Sequence, residues 1–79
     1  MISTLDKLNI NEKGTVSALT LCGSIKRRML DLGLATGTEV ECIGRSPSGD
    51  PSAYLIRGAV IAVRARDACG VVIDTLESR

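Results

Sequence analysis

Turn-forming residues divide this sequence at short intervals, and the apolar stretches between them are no longer than a strand. Glycine, proline, serine and aspartate cluster between short alternating segments, which is typical of all-β domains. We expect five strands, at residues 15–19, 39–43, 54–57, 60–64 and 71–73. Gly58 and Ala59 read as a two-residue hairpin turn of type II′, because glycine comes first.

Alternation within these segments predicts which side chains point inward. Val40 and Cys42 should face the core while Glu39 and Glu41 face solvent. Val16 and Ala18 should share one face of the first strand. Strands this short favour closure into a small five-stranded β-barrel, because closure removes open sheet edges.

A single helix is predicted after the first strand, at residues 25–32. Ser24 is a suitable N-cap and Gly33 a suitable terminator, after which Leu34 should fold back near Met29. The apolar side of the helix repeats at helical spacing, at Ile25, Met29 and Leu32. Around this framework, Leu5 and Leu8 form a lead-in packed on the core, residues 46–51 an exposed loop, residues 66–70 a turn and residues 75–79 a frayed tail.

Missing residue types exclude several functions. The 79 residues contain no histidine and one aromatic residue, Tyr54, and they carry a net charge of +1. Without histidine the usual general base and the commonest metal ligand are absent, so we expect no enzyme. One aromatic residue and a balanced charge argue against nucleic-acid binding. With no apolar run near the ~20 residues of a membrane span and no leader pattern, we expect one cytoplasmic domain over residues 1–79, with its core at about 5–75.

Three cysteines, Cys22, Cys42 and Cys69, leave the role of their thiols open. Their odd number and the absence of a CxxC pair favour reduced thiols used as small buried hydrophobes. A three-thiolate metal site is the alternative, although structural zinc prefers four ligands and short ligand pairs. Cys22, just before the basic turn of the helix, is the best placed for reactivity, but a structural thiol is the simpler interpretation.

The charge order of the helix is unusual. Lys26, Arg27 and Arg28 occupy its first turn and Asp31 its last, which opposes the helix dipole. One interpretation is a solvated face with an Arg27–Asp31 ion pair; the other is a small basic docking surface for an acidic partner. For the second interpretation, exposed apolar residues beside the helix, such as Leu34, would complete the surface.

Several segments together resemble the FeoA family, ferrous iron transport protein A. They are KRRMLDLGL at 26–34, GTEV at 37–40, SPSGDP at 46–51, RG at 57–58, AVR at 62–64 and DA at 67–68. The resemblance extends from about Leu5 to Ile73. It implies an SH3-like barrel and a non-catalytic cytosolic accessory protein of bacterial ferrous iron uptake. Its implied partner is FeoB, a membrane transporter with a cytosolic GTP-binding domain, so contact with the membrane would run through that partner alone.

The same resemblance leaves a second function open. FeoA-like domains also occur at the C-terminal end of iron-dependent repressors, so the chain could be a stand-alone regulatory domain acting on such a repressor. An RNA-binding barrel is disfavoured by charge and by the missing aromatics. Although the family is associated with a transition metal, we expect no cofactor and no tightly held Fe²⁺, because thiols and carboxylates are scattered. The sequence is compatible with a homo-oligomer.

Overall fold

A computed structural model describes residues 1–75; residues 76–79, most of the expected frayed tail, lie outside the described part. Thr75, the first residue of that tail, is buried. In chain order the elements are β1 (Ile2–Thr4), a 3-10 turn (Leu5–Lys7), β2 (Lys13–Leu19), α1 (Gly23–Asp31), β3 (Glu39–Arg45), β4 (Ser52–Ile56), β5 (Ala59–Val63), α2 (Ala65–Ala68) and β6 (Val71–Asp74).

The strands form one antiparallel sheet in the order β1-β6-β2-β3-β4-β5, so the expected five-stranded closed barrel is wrong in two respects. First, Ile2–Thr4 is a sixth strand, paired with β6 from Ile2 opposite Asp74 to Thr4 opposite Val72. Three residues are too few to show an alternation, which is why the sequence hid this strand. Second, β1 and β5 end the sheet without pairing to each other. The fold is therefore mainly β, as predicted, but its sheet is not closed.

The core confirms most of the predicted inward positions. Val40 and Cys42 are buried between Glu39, which is exposed, and Glu41, which is half-buried. The predicted lead-in also packs inward, through Leu5 and Leu8. The buried apolar set is Leu5, Leu8, Val16, Met29, Leu34, Val40, Cys42, Tyr54, Ile56, Val63, Ala68, Val71 and Ile73.

Tyr54 ties the lead-in to the sheet. Its hydroxyl donates to the carbonyl oxygen of Leu5 at 3.3 Å, across the core. Burial raises the pKa of this phenol above its usual value near 10. The only aromatic side chain therefore serves the core rather than a binding surface.

The β4–β5 hairpin turns one residue earlier than predicted. Ile56 pairs with Ala59, so the turn residues are Arg57 and Gly58, with φ of 52° and 83°. Two positive φ values define a type I′ turn, whose twist matches a hairpin better than most alternatives. The prediction failed because arginine, unlike asparagine or glycine, is an unusual residue at positive φ.

Ala18 is also misplaced by the predicted alternation. The register between β2 and β6 shifts between Val16, opposite Ile73, and Ala18, opposite Val72. Such a bulge adds one residue to β2 and turns the following side chains over. Val16 is therefore buried while Ala18 is exposed.

A short helix replaces the predicted turn at 66–70. α2 begins directly after β5, and the carboxylate Oδ1 of Asp50 accepts from the backbone N–H of Ala65 at 2.8 Å. Asp50 belongs to the loop at 46–51, which is mostly exposed as predicted. The loop thus satisfies an N–H at the start of α2 that no residue of the helix caps.

Candidate functional site

Helix α1 starts without a side-chain cap. Cys22 occupies the N-cap position with φ −142° and makes no cap hydrogen bond, so the predicted N-cap role of Ser24 is wrong. Ser24 lies inside the first turn because the helix begins at Gly23, two residues earlier than predicted. The first turn contains no acidic residue to offset its basic side chains.

The end of α1 follows the sequence prediction closely. Gly33 has φ of 104°, and its N–H donates to the carbonyl oxygen of Leu30 at 3.0 Å. The N–H of Leu34 donates to the carbonyl oxygen of Met29, also at 3.0 Å. Together these two bonds form a Schellman motif, which reverses the chain after the last turn.

Leu34 is not part of any exposed surface. Its exposed fraction is 0%, because the Schellman motif turns its side chain onto Met29 and into the core. Its inclusion in the predicted docking surface is therefore wrong. The exposed apolar residues of this region are Ile25 at 39% and Leu30 at 41%.

That exposure corrects the predicted apolar stripe as well. Met29 is buried and Leu32 is partly buried against the core, as the stripe requires, but Ile25 is not. α1 packs through its C-terminal half, since Met29, Leu32 and Leu34 belong to the core or touch it. The first turn consequently leaves the apolar Ile25 beside basic side chains.

The three basic residues of α1 are all exposed, and they divide between two sides of the helix. Lys26 and Arg27 line one shallow depression together with Gly23, Leu30 and Asp31. Arg28 lies on the other side, where it lines a separate groove. Successive helical residues are ~100° apart, so Lys26 and Arg28 point in nearly opposite directions. The predicted cluster is thus two surfaces rather than one.

The predicted ion pair between Arg27 and Asp31 does not form. Among residues 1–75, no carboxylate lies within salt-bridge distance of Lys26, Arg27 or Arg28. The interpretation of the cluster as a solvated face included this ion pair, and its absence weakens that interpretation. Within residues 1–75, positive charges without carboxylate partners remain beside exposed apolar side chains.

A second basic group was missed by the sequence analysis. Arg64 and Arg66 line the same groove as Arg28, although they are more than thirty residues away along the chain. The groove has a volume of about 300 Å³, and buried Met29 and Val63 contribute to its lining. A signal was present, because residues 51–66 contain three arginines and no carboxylate.

Arg45 is not a candidate for partner binding, because its guanidinium is already bonded within the fold. Its Nε donates to Ser52 Oγ at 3.0 Å, and its terminal nitrogen donates to the carbonyl oxygen of Leu8. These bonds hold the guanidinium against the sheet. Arg45 therefore serves the fold.

A third surface depression differs in character from both basic surfaces. It has a volume of about 570 Å³ and is lined by Lys13 and Arg57 together with Glu39 and Glu41. Charges of both signs alternate there, so the surface attracts neither anions nor cations strongly. The basic surfaces of α1 remain the better candidates.

The cysteines fit the predicted small-hydrophobe role only in part. Cys42 is buried, whereas Cys22 and Cys69 are exposed, and none of the three is in a disulfide. Cys69 is held locally, its Sγ lying 3.1 Å from the carbonyl oxygen of Arg66. In the described part of the chain, no three histidine, cysteine, aspartate or glutamate side chains come together at metal-binding distance.

No helix within residues 1–75 is long and apolar enough to cross a membrane.

The fold defines a class of protein. Six short antiparallel strands around one core, with a helix between the second and third strands, form a small SH3-like domain. The FeoA domain model matches residues 3–75, and the chain belongs to the FeoA family, which is associated with ferrous iron transport.

Solved structures agree with this assignment. An FeoA-like protein from Clostridium acetobutylicum superposes with a TM-score of 0.90 at 27% identity, covering 99% of this chain and 91% of that one. FeoA from Stenotrophomonas maltophilia, solved in complex with zinc and described as a prokaryotic SH3 domain protein, has a TM-score of 0.81 at 28% identity, covering 90% and 88%. No curated protein sequence matches the chain.

Metal-dependent repressors share the fold alone. A manganese-dependent transcriptional repressor has a TM-score of 0.85 over 95% of this chain, but at 15% identity and over 37% of its own length. Identity this low carries no function. For the alternative role, regulation of a repressor, this likeness supports only the shared fold.

Proposed function

We propose that this chain is a non-catalytic, cytoplasmic accessory protein of bacterial ferrous iron uptake, which docks on the cytosolic region of an FeoB-type transporter and modulates Fe²⁺ transport. Membership of the FeoA family supports the link to ferrous iron. The surface of α1 supports the docking step. Contact of this chain with the membrane would then run through the transporter alone.

One observation carries the proposed docking surface: Lys26 and Arg27 lack carboxylate partners within residues 1–75 and line one depression together with exposed Leu30. Unpaired cations at a helix N-terminus cost the isolated helix stability, at about 0.3–1 kcal/mol for each exposed charge. Exposed apolar side chains next to them add surface that water solvates poorly. Both costs are relieved when an acidic surface with an apolar centre covers the helix.

The chemistry of such a contact is ordinary for protein interfaces. Leu30, which lines the same depression as Lys26 and Arg27, would supply a small apolar centre, and the two cations a charged rim that orients an acidic partner. Arg28 would lie at the border of this contact, since it faces the neighbouring groove. A surface of this kind binds without reacting, which is the behaviour of an adaptor.

The test is equilibrium binding to the isolated cytosolic region of an FeoB-type transporter. Arg27→Glu should weaken binding by at least about tenfold, because it places a like charge against the acidic partner. Lys7→Glu is the control, since it makes the same change of charge on an exposed residue outside the depression and should leave affinity within about twofold. Equal affinities for Arg27→Glu, Lys7→Glu and the unmodified chain would show that α1 is not the docking surface.

Modulation needs a separate measurement. Fe²⁺ uptake by liposomes containing the complete transporter should change when the chain is added, and Arg27→Glu should abolish the change. Uptake that is the same with and without the chain, at concentrations that saturate binding, would contradict a modulating role.

A further inference from the structure

Strand β5 leaves one edge of its backbone without a partner. It lies at the end of the strand order, and it pairs with β4 alone. The hairpin turn has two residues, so Ile56 and Ala59 form a hydrogen-bonded pair and the pairs alternate from there. Val60 and Ala62 therefore occupy non-hydrogen-bonded positions, and their N–H and C=O groups point away from β4.

No other part of the described chain covers this edge. Within residues 1–75, no hydrogen bond outside the β4 pairing involves the backbone of Val60 or Ala62. The strand carries none of the usual protective features, since its five residues include no charge and no proline, and its register with β4 is unbroken. Val60 is 63% exposed. Such an edge is a template for one more strand.

The basic groove lies at the end of this edge. Ala62 and Val63, the last residues of β5, line it together with Arg28, Arg64 and Arg66. The same lining contains one carboxylate, that of Asp67. No ion pair among residues 1–75 joins Asp67 to any of these arginines. An excess of guanidinium groups therefore faces a groove into which the free edge leads.

We propose that β5 receives an extended acidic segment of a partner protein as an additional strand, with a carboxylate of that segment bound in the groove of Arg28, Arg64 and Arg66. The outward N–H and C=O groups of Val60 and Ala62 supply main-chain hydrogen bonds. The guanidinium groups select for acidic side chains, since arginine binds carboxylates with two parallel hydrogen bonds. Lys26 and Arg27 line a different depression, so this site does not depend on the docking surface of α1.

Charge decides between this occupant and a second copy of the chain. Antiparallel pairing of two β5 strands centred on Ile61 would bring Arg64 of one copy beside Arg57 of the other. It would also gather both arginine grooves on one face. Like charges brought together in this way oppose the pairing. An acidic segment has the opposite effect, because it neutralises the arginines as the strand forms.

The probe is a blocked peptide of alternating threonine and glutamate, about eight residues long, which exceeds the five residues of β5. We expect it to bind the unmodified chain and to slow hydrogen exchange at the amides of Val60 and Ala62. A peptide with glutamine in place of glutamate should bind at least about tenfold more weakly. So should a glutamate peptide methylated on alternate backbone nitrogens, which cannot pair with an edge.

Two matched variants locate the carboxylate. Arg64→Gln with Arg66→Gln should weaken binding of the glutamate peptide at least about tenfold, whereas Lys26→Gln with Arg27→Gln, which removes the same charge, should leave it within about twofold.

Equal effects of the two variants would overturn the proposal that the carboxylate binds in the arginine groove. Equal binding of the methylated peptide, or complete displacement by millimolar inorganic phosphate, would reduce the site to a simple anion site and overturn strand addition. Dimerisation through β5 in sedimentation experiments would make a second copy the occupant. Because the peptide is independent of the transporter, failure here leaves the proposed function standing.

Discussion

The backbone N–H of Leu34 donates to the carbonyl oxygen of Met29 at 3.0 Å, and both side chains are buried in the same core. This bond fixes where α1 stops and sends the following residue inward. The C-terminal half of the helix is thereby held against the sheet. Its first turn lies free of the core, which is why Ile25 and the basic residues are exposed.

Gly33→Ala should destabilise the fold by about 1–3 kcal/mol. Gly33 has φ of 104°, and a Cβ there would lie 3.1 Å from Ile56 Cγ2 and 3.2 Å from Arg57 Cδ. Gly44→Ala is the control, since a Cβ at that position meets nothing within 4 Å and its φ is ordinary. Urea unfolding of both variants measures the difference. A similar free energy of unfolding for the two would show that the left-handed residue at 33 is not required.

Leu34→Ala and Leu30→Ala should have opposite effects on stability and on binding. Leu34 is fully buried, so its truncation should cost about 2–5 kcal/mol and leave a cavity. Leu30 is 41% exposed, so its truncation should change stability by less than about 1 kcal/mol. Transporter binding should instead fall for Leu30→Ala. Thermal unfolding and the binding assay separate the two roles, and loss of binding without loss of stability in Leu34→Ala would reverse the assignment.

Stability should decline at alkaline pH because of Tyr54. Burial raises the pKa of its phenol in the folded state above the unfolded value near 10. The folded state therefore keeps its proton where the unfolded state loses it. The resulting stabilisation is complete below pH ~10 and disappears as the pH rises through the folded pKa.

Tyr54→Phe isolates this contribution. The variant retains every other titrating group of the chain, so the difference in unfolding free energy between it and the unmodified chain should vary with pH only above ~10. Urea titrations across that range provide the measurement. A difference that stays constant to high pH would mean that the phenol titrates alike in both states.

The cysteines should react in two classes. Cys22 and Cys69 are exposed and Cys42 is buried with no exposed area, so a maleimide should label two thiols under native conditions. The third should react only when the chain unfolds. Mass spectrometry of the labelled peptides identifies each site. Labelling of Cys42 at the rate of the other two would show that β3 opens readily.

Sequence patterns predicted the interior of this fold better than its edges and turns. The alternation around Val40 and the glycine at 33 were sufficient because each follows from local backbone chemistry. The turn at Arg57 and the bulge before Ala18 were not. The turn places an arginine at positive φ, which its residue type disfavours, and the bulge depends on pairing with β6, which is distant in sequence. The bulge displaces the side chains that follow it by one position, which in a strand means the opposite face.

In the candidate site, too, the sequence predicted the features that depend on local residues and missed those that depend on the fold. A charge run at 26–28 indicated a basic surface, but its separation into two sides follows from helical geometry, and the contribution of Arg64 and Arg66 follows from the fold. Leu34 was misassigned as an exposed residue beside the helix, whereas it is fully buried between half-buried Gly33 and Ala35. Its burial depends on a chain reversal that the glycine predicts but whose packing the sequence does not specify.

The pairing of β1 with β6 sets Ile2 directly opposite Asp74. The chain therefore enters and leaves this domain at one place, a strand's width apart. A unit with neighbouring entry and exit points can be appended to another protein, or placed within one of its loops, while the residues of the host on either side stay close together. That geometry makes this architecture portable, and it suits a domain whose fold recurs over about a third of a much longer repressor chain.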